Sequence, residues 1–562
     1  MNKYNSKNMK RLILISSLTV VAMVTGCSKL NQNLNSALTA DQAANALGTN
    51  GVSLLLQAAY VDVGGPYSDP GNFFALQEVS TDECLVPTRG GDWDDNGKWR
   101  ALQFHAYTTD QVNEFNDQFN AFNKLNFDAT NVLDFKPSAE QAAEARFLRA
   151  LSLYNLLDLY GQYPFRNPGD NLLNAPKVYT GDSAVLFIIS ELNAVLADLP
   201  ASNGATLANK DAANLLLMRC YLNRGAFNAK GKEPYTPTFD DADMQKVISI
   251  GNSITARSYT ANYFDNFNPT NDASPEIIFS VPNVEGVSTN PGGVNNYWWA
   301  TLHYDQYPAF SAQASGWNGF STVAQTYNLF SAGDVATTQT PSDTLLKDQR
   351  IGGRYYPGST NVAGVSPGFL IGQQYDQTHT KYFDRKGNLL SFSPAISPDL
   401  KETGSNLEIT GIRIIKYPPD YNQGGKFYGN PLAGNDVVIF RYSDVVLMIA
   451  EAKMRQASPD NAGALALVNQ VRAARKANPL TASMTLVDPT DVYNPNTLLA
   501  ERGREFYWEN VRRTDLVRFG MFNAKAAYHP ADADSHTNLY PLPSSALASN
   551  PNLKQNPGYP SN

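Results

Sequence analysis

The chain has 562 residues, enough for two to four core units or for one large unit built by repetition. Hydrophobic residues make up 43% and charged residues 17%, the balance of a soluble globular protein. The net charge of −8 deepens to −12 without residues 1–26, and an acidic chain with no basic run argues against nucleic acid as the ligand. Once the N-terminal cysteine is set aside, Cys84 and Cys220 are too few for a disulfide framework and lack zinc spacing.

In chain order, Lys3, Lys7, Lys10 and Arg11 precede an apolar run over 12–24 that is too short to span a bilayer. Val24-Thr25-Gly26-Cys27 follows, and small residues directly before a cysteine resemble the bacterial lipobox. That resemblance implies a signal peptide over 1–26, diacylation of the Cys27 thiol and a lipid-anchored tether over 27–38. Residues 39–562 read as one unit. Its helical frame lies mainly in 39–60, 110–257 and 441–522, and loop-rich stretches fill 61–109 and 258–440.

Within the frame, helical periodicity covers 39–60, 110–135, 138–160, 182–199, 211–228, 240–257, 441–456, 460–476 and 496–510. Ser138 and Gln141 have capping-box spacing, and Asp182, Asp240 and Asp460 suit N-caps. The helix over 138–160 is apolar around well over half its circumference, which requires packing on two sides. Paired helices of this kind predict a mainly α fold: a TPR-like solenoid of about four helix pairs, carrying a loop-rich, minor-β ligand-binding region. Short β-like pieces lie at 276–281 and 437–440.

Several stretches together resemble the SusD/RagB family of outer-membrane nutrient-binding lipoproteins. They are the lipobox, "AEARFLRALSLYNLLDLYGQYPF" (143–165), "RYSDVVLMIAEA" (441–452), "LALVNQVRAAR" (465–475), "ERGREFYWENVRRTDLVRFGMF" (501–522) and "LYPLPSSALASNPNLKQNPGY" (539–559). The resemblance implies a glycan ligand, a SusC-like TonB-dependent transporter as partner, and a lipid anchor on the outer membrane facing the cell surface. One feature departs from the family. Ser28-Lys29-Leu30-Asn31-Gln32 follows the cysteine, with no acid before Asp41, so surface exposure rests on the family and not on this tether.

The stretch "RGGDWDDNGKW" (89–99) is too polar for a core element, yet it holds two tryptophans. Asp92, Asp94, Asn96 and Gly97 match positions 1, 3, 5 and 6 of a calcium loop, but the twelfth position is Gln103 where a bidentate Glu is needed. A minor Ca²⁺ role for Asp92, Asp94 and Asn96 stays open; no other cofactor is expected. Sugars pack their C–H faces on aromatic rings and offer hydroxyls to Asp, Asn and Arg. Trp93 amid Arg89, Asp92, Asp94 and Asn96 has that composition, whereas Trp99, near Leu102 and Phe104, reads as core. Downstream, Tyr297, Trp298, Trp299, Tyr304, Tyr307 and Trp317 cluster in polar sequence, with Asn296 and His303 as weaker candidates. By the family's order, Trp93, Trp317 and one of Trp298 and Trp299 would form the ligand platform. Adjacent tryptophans in an extended segment face opposite ways, and Trp298 is taken as the exposed one.

The chain is expected to be non-catalytic. Gly364-Val365-Ser366-Pro367-Gly368 matches a nucleophile elbow, but Pro367 has no N–H for the oxyanion hole. Glu501, Glu505 and Glu509 sit at helical spacing among Arg502, Arg504, Arg512 and Arg513, which reads as ion pairing between repeats. Asp82 and Glu83 keep a surface glycoside hydrolase as an alternative, and a peptide- or protein-binding lipoprotein is another.

Overall fold

Helix α1 (Gly51–Tyr67) runs past its expected end at residue 60. Gly64, Gly65 and Pro66 signal a stop in sequence, but Val63 and Tyr67 are buried, and the Tyr67 hydroxyl accepts from Asn155 at 3.0 Å. Tertiary anchoring here outweighs propensity. The computed structural model describes residues 50–109, 111–201, 204–284, 294–306, 316–330, 348–352, 367–375, 380–418 and 433–560. Cys27, the tether, Tyr307 and the Ser366 of the elbow-like motif lie outside them. Val52–Asn562 forms one unit by its internal contacts.

Further helices include α2 (Lys98–Gln103), α3 (Glu114–Asp134), α4 (Ala139–Tyr160), α5 (Gly181–Val195), α6 (Lys210–Ala229) and α7 (Asp241–Ser253). They continue with α8 (Asn295–Trp299), α9 (Tyr442–Arg455), α10 (Asn461–Ala474), α11 (Leu498–Phe506) and α12 (Arg512–Arg518). The capping box forms as expected: Gln141 N–H donates to the Ser138 hydroxyl at 3.2 Å, and Ser138 N–H to the Gln141 side chain at 3.1 Å. From Ala143 onward nearly every side chain of α4 is buried. Helix α3 packs on one side of α4 and α5 on the other, α6 packs on α5, and α7 on α6. The stack then continues through α9, which packs on α7, and α10, which packs on α9. Adjacent elements of the solenoid are thus joined across the long insertion. The fold is mainly helical with small two-stranded sheets. Among the described residues no helix is long and apolar enough to cross a membrane.

The insertion is closed at its base by an antiparallel pair, Ile277–Val281 with Val437–Arg441. A buried ion network sits at this junction. Arg441 donates to Glu276, Glu505 and Glu509 at 2.6–2.9 Å, Arg475 to Glu276 at 2.5 Å and Glu505 at 2.7 Å, and Arg350 to Glu501 at 2.7 Å. Lys416 pairs with Glu509 at 2.8 Å. Glu501, Glu505 and Glu509 are therefore ion-paired, but mainly to distant partners. Arg502 instead bridges Asp444 and Asp515, and Arg512 holds Asp82. Burial opposes ionisation of Glu276 and Glu501, but the facing guanidiniums hold each near 2. Breaking one such pair leaves an uncompensated buried charge, which costs about 3–5 kcal/mol.

The loop-rich stretches are not uniformly ligand-facing. Asn266, Asn271 and Asn435 are fully buried, and each donates to main-chain carbonyls: Tyr263 for Asn266, Asn266 and Asp436 for Asn271, Phe267 and Pro418 for Asn435. Asparagine side chains here satisfy backbone groups that regular structure would otherwise pair. Cys84 and Cys220 are free and buried.

Candidate functional site

The loop at 89–99 starts from a parallel pairing of Thr88–Arg89 with Lys401–Glu402. Arg89 and Asp92 exchange backbone hydrogen bonds at 2.9 and 3.2 Å, closing a tight turn in which Gly90 has φ +68°. Trp93 follows at φ +59°, an unusual backbone for a bulky residue, costing on the order of 1–3 kcal/mol. Several contacts hold it there. Its Nε1–H donates to the Trp317 carbonyl at 2.6 Å, and its ring meets Trp99 and Phe320 edge-on at 5.9 and 5.5 Å. The indole lies against Gly319, where a Cβ would come within 2.2 Å of Cε2.

Trp317 is tilted beside Trp93 at 6.5 Å, and both rings are half-buried. Tyr304 is also half-buried and donates its hydroxyl to the exposed Asp92. Burial and the Asp92 carboxylate push the Tyr304 phenol up to about 12. The Arg385 guanidinium lies 3.9 Å above the Tyr304 ring centroid and pairs with Glu408 at 2.7 Å. His303 Nε2 is 2.8 Å from the other Glu408 oxygen. Burial alone would raise Glu408, but Arg385 and His303 hold it below the usual carboxylate range. Trp93, Trp317, Tyr304, Asp92 and Arg385 thus form one aromatic and polar corner. Asp94 and the exposed Asn96 flank it on the same loop.

Other expected site residues lie elsewhere. Trp298 is buried, contrary to expectation, and so is Trp299. Residues 295–299 form the short helix α8 and not an extended segment, and both indoles enter a small core with Leu302, Leu370, Leu390, Phe392 and Ile415. Trp299 still matters indirectly, because Trp317 packs against it at 5.5 Å. Tyr297 is core: its hydroxyl donates to the Tyr67 carbonyl at 3.0 Å and its ring meets Phe74 edge-on. Arg89 is 2% exposed and turned away from solvent. Its guanidinium donates to the Leu407 and Thr410 carbonyls and to the Ser321 and Thr410 hydroxyls at 2.8–3.3 Å, pinning the loop to the insertion. Trp99 is buried, and its Nε1–H donates to Asp95 at 2.6 Å.

The residues of the calcium reading have protein partners of their own. Asp92 takes the Tyr304 hydroxyl, Asp94 takes Arg100 at 3.0 Å, and Asn96 presents its main-chain carbonyl to Gln111 at 3.2 Å. Asp92 and Asp94 thus serve separate protein partners. The hydrolase reading loses its acid pair as well. Asp82 is held bidentately by Arg512 at 2.7 and 2.5 Å, and Glu83 is 1% exposed and faces Glu78.

Arg385 was not among the expected residues. It sits in a hairpin where Phe383 pairs with Leu389 across an Asp384–Asn388 turn. The run "YFDRKGNLLSF" carries the signal, β-like residues around a Gly-Asn turn, but not the destination of the arginine.

The SusD family profile matches residues 275–559. The chain is 28% identical over 517 residues to the starch-binding protein SusD of Bacteroides thetaiotaomicron, covering 86% of this chain and 85% of that one. Two solved structures share its fold at 17% identity. One is surface glycan-binding protein A from Bacteroides fluxus, with TM-score 0.63 and coverage of 91% of this chain and 99% of the other. The second is surface glycan-binding protein A from Bacteroides thetaiotaomicron in complex with laminarihexaose, with TM-score 0.61 and coverage of 90% and 99%. The profile match takes in the insertion, its closing strand pair and the C-terminal helices, and the structural matches take in the helical stack, so this chain belongs to the SusD family.

Proposed function

We propose that this protein captures an oligosaccharide without cleaving it, on the corner formed by Trp93, Trp317 and Tyr304. The observation that carries the reading is a strained, half-exposed Trp93 seated beside a second half-exposed indole, with Asp92 and Arg385 at the rim. Strain persists only where surrounding contacts over-determine it, and it gathers at ligand clamps. Aromatic faces take the C–H faces of a sugar, and carboxylate and guanidinium groups take its hydroxyls. One named relative binds starch and another was solved with laminarihexaose, both built of glucose, which makes α- and β-glucans the first ligands to test. Within this reading the Cys27 lipid holds the protein on the outer membrane, and the captured glycan passes to a SusC-like TonB-dependent transporter.

Affinity electrophoresis over a glycan panel tests the binding step. Retardation by at least one glycan, lost in Trp93→Ala and in Trp317→Ala, is expected. Steady release of reducing ends by the pure protein would instead support a hydrolase. Retardation by none of the panel, with heat released on titrating peptides, would support the peptide reading.

A further inference from the structure

A second cluster lies where the chain leaving the aromatic loop meets the C-terminal segment. His105 follows α2 and faces His529 with ring centroids 4.0 Å apart. Both rings point a nitrogen at one carboxylate: His105 Nδ1 is 2.8 Å from Asp532 Oδ2, and His529 Nε2 is 2.9 Å from Oδ1. Both outer nitrogens face main-chain carbonyls, His105 Nε2 at 2.8 Å from Ser80 and His529 Nδ1 at 3.2 Å from Ala524.

Counting protons shows what this arrangement requires. A carbonyl and an ionised carboxylate both only accept, so a neutral imidazole, with one N–H, leaves one of its two contacts unserved. With the N–H on the outer nitrogens, two inner lone pairs face the carboxylate, and a cation between them resolves the mismatch. Two extra protons would serve, but they would place two imidazolium rings 4.0 Å apart, both nearly enclosed by protein. A single divalent ion serves all three groups. Outer nitrogens bonded to carbonyls are also the usual support for metal-ligating histidines, since they fix the tautomer that aims the free lone pair inward.

We propose that His105 Nδ1, His529 Nε2 and an Asp532 oxygen bind one divalent transition-metal ion of the Zn²⁺ class, clamping the end of α2 to the C-terminal segment. The three ligand atoms lie within 4.8 Å of one another. Tetrahedral bonds of about 2.0–2.2 Å space ligands by roughly 3.4 Å, so coordination needs only a small opening of the present contacts. Asn523 and Thr537 donate to Asp532 Oδ2 at 2.6 and 2.7 Å and orient the carboxylate from behind. Imidazole and carboxylate donors suit Zn²⁺, Co²⁺ or Ni²⁺ over Ca²⁺. This site is independent of the glycan reading.

The test is isothermal titration of tag-free, EDTA-treated protein with Zn²⁺, and with Co²⁺ followed by visible absorption. One ion per chain is expected, at a Kd of about 1 µM or tighter, with tetrahedral Co²⁺ bands and a higher urea midpoint. His529→Gln, close in shape, should weaken Zn²⁺ at least roughly 100-fold, beyond the loss of an outer partner. His536→Ala, on the exposed His536–Asp534 pair, should leave it unchanged. Absence of metal binding by the wild-type chain would overturn the proposal, as would equal binding by His529→Gln. Nitrogen-15 NMR showing both rings doubly protonated in the presence of Zn²⁺ would overturn it too.

Discussion

Gly319→Ala should unseat Trp93 without substituting any side chain of the proposed platform. The added Cβ would lie 2.2, 2.5 and 2.7 Å from three indole atoms, whereas ordinary contact begins at 3.4 Å. The ring must therefore retreat by about an ångström or more. Gly319 is not in the left-handed region, so alanine adds no backbone strain of its own. The displaced ring loses its hydrogen bond to the Trp317 carbonyl, worth about 0.5–1.5 kcal/mol, and part of its edge contacts with Trp99 and Phe320. Overpacking costs about 1–3 kcal/mol, so the total expected loss is roughly 1.5–4.5 kcal/mol. Urea denaturation measures it, and near-ultraviolet circular dichroism reports the moved indole. In a Trp93→Ala background the clash has no target, and the same substitution should cost under about 0.5 kcal/mol. Equal costs in the two backgrounds would refute the reasoning, because the penalty would then come from somewhere other than Trp93.

Three further outcomes follow from the geometry. Burial raises the Glu78 and Glu83 carboxyls, helped by the Glu83 charge at Glu78 and the Asp82 charge at Glu83, which takes Glu83 to about 8 from 4.5, so the folded state binds protons more tightly than the unfolded one. Stability should therefore fall as pH rises from about 4.5 through 8, by on the order of 1–3 kcal/mol, and Glu83→Gln should flatten that slope in denaturant titrations at pH 5 and pH 8. At the acid end Asp444, Glu451 and Glu501 are held near 2 against the desolvation that opposes their charge. Their contribution is complete above about 4.5 and is lost as pH falls toward 2, so a second, acid transition should appear in tryptophan fluorescence and shift upward in Arg502→Met. Tyr304→Phe removes the hydroxyl that holds Asp92 and should weaken glycan binding by up to roughly tenfold, with little change in the urea midpoint.

The solenoid was legible because its signals are local. The Ser138–Gln141 capping box and the two-sided apolar face of α4 name a helix packed between neighbours before any neighbour is known. Trp99 declared itself through nearby apolar residues. The site was harder to read because its decisive partners are remote in sequence. Arg89 beside two glycines looks like a surface residue, yet Ser321 and Thr410, more than 200 positions away, enclose it. Trp298 looked exposed in polar sequence, but its cover comes from Leu370, Leu390 and Ile415. Arg385 reaches Tyr304 only because a hairpin folds back over it. Composition could suggest an aromatic site in the insertion, and only tertiary pairing could say which rings face out.

Fluorine-19 NMR of protein labelled with 5-fluorotryptophan tests the central claim most directly. The six tryptophans, at 93, 99, 298, 299, 317 and 508, give six resonances that single Trp→Phe variants assign. On titration with the oligosaccharide that retards the protein best, the account predicts that Trp93 and Trp317 shift together and saturate at one Kd. Trp99, Trp298, Trp299 and Trp508, each at most 7% exposed, should move far less. Saturable glycan binding that leaves both Trp93 and Trp317 unmoved would contradict the account.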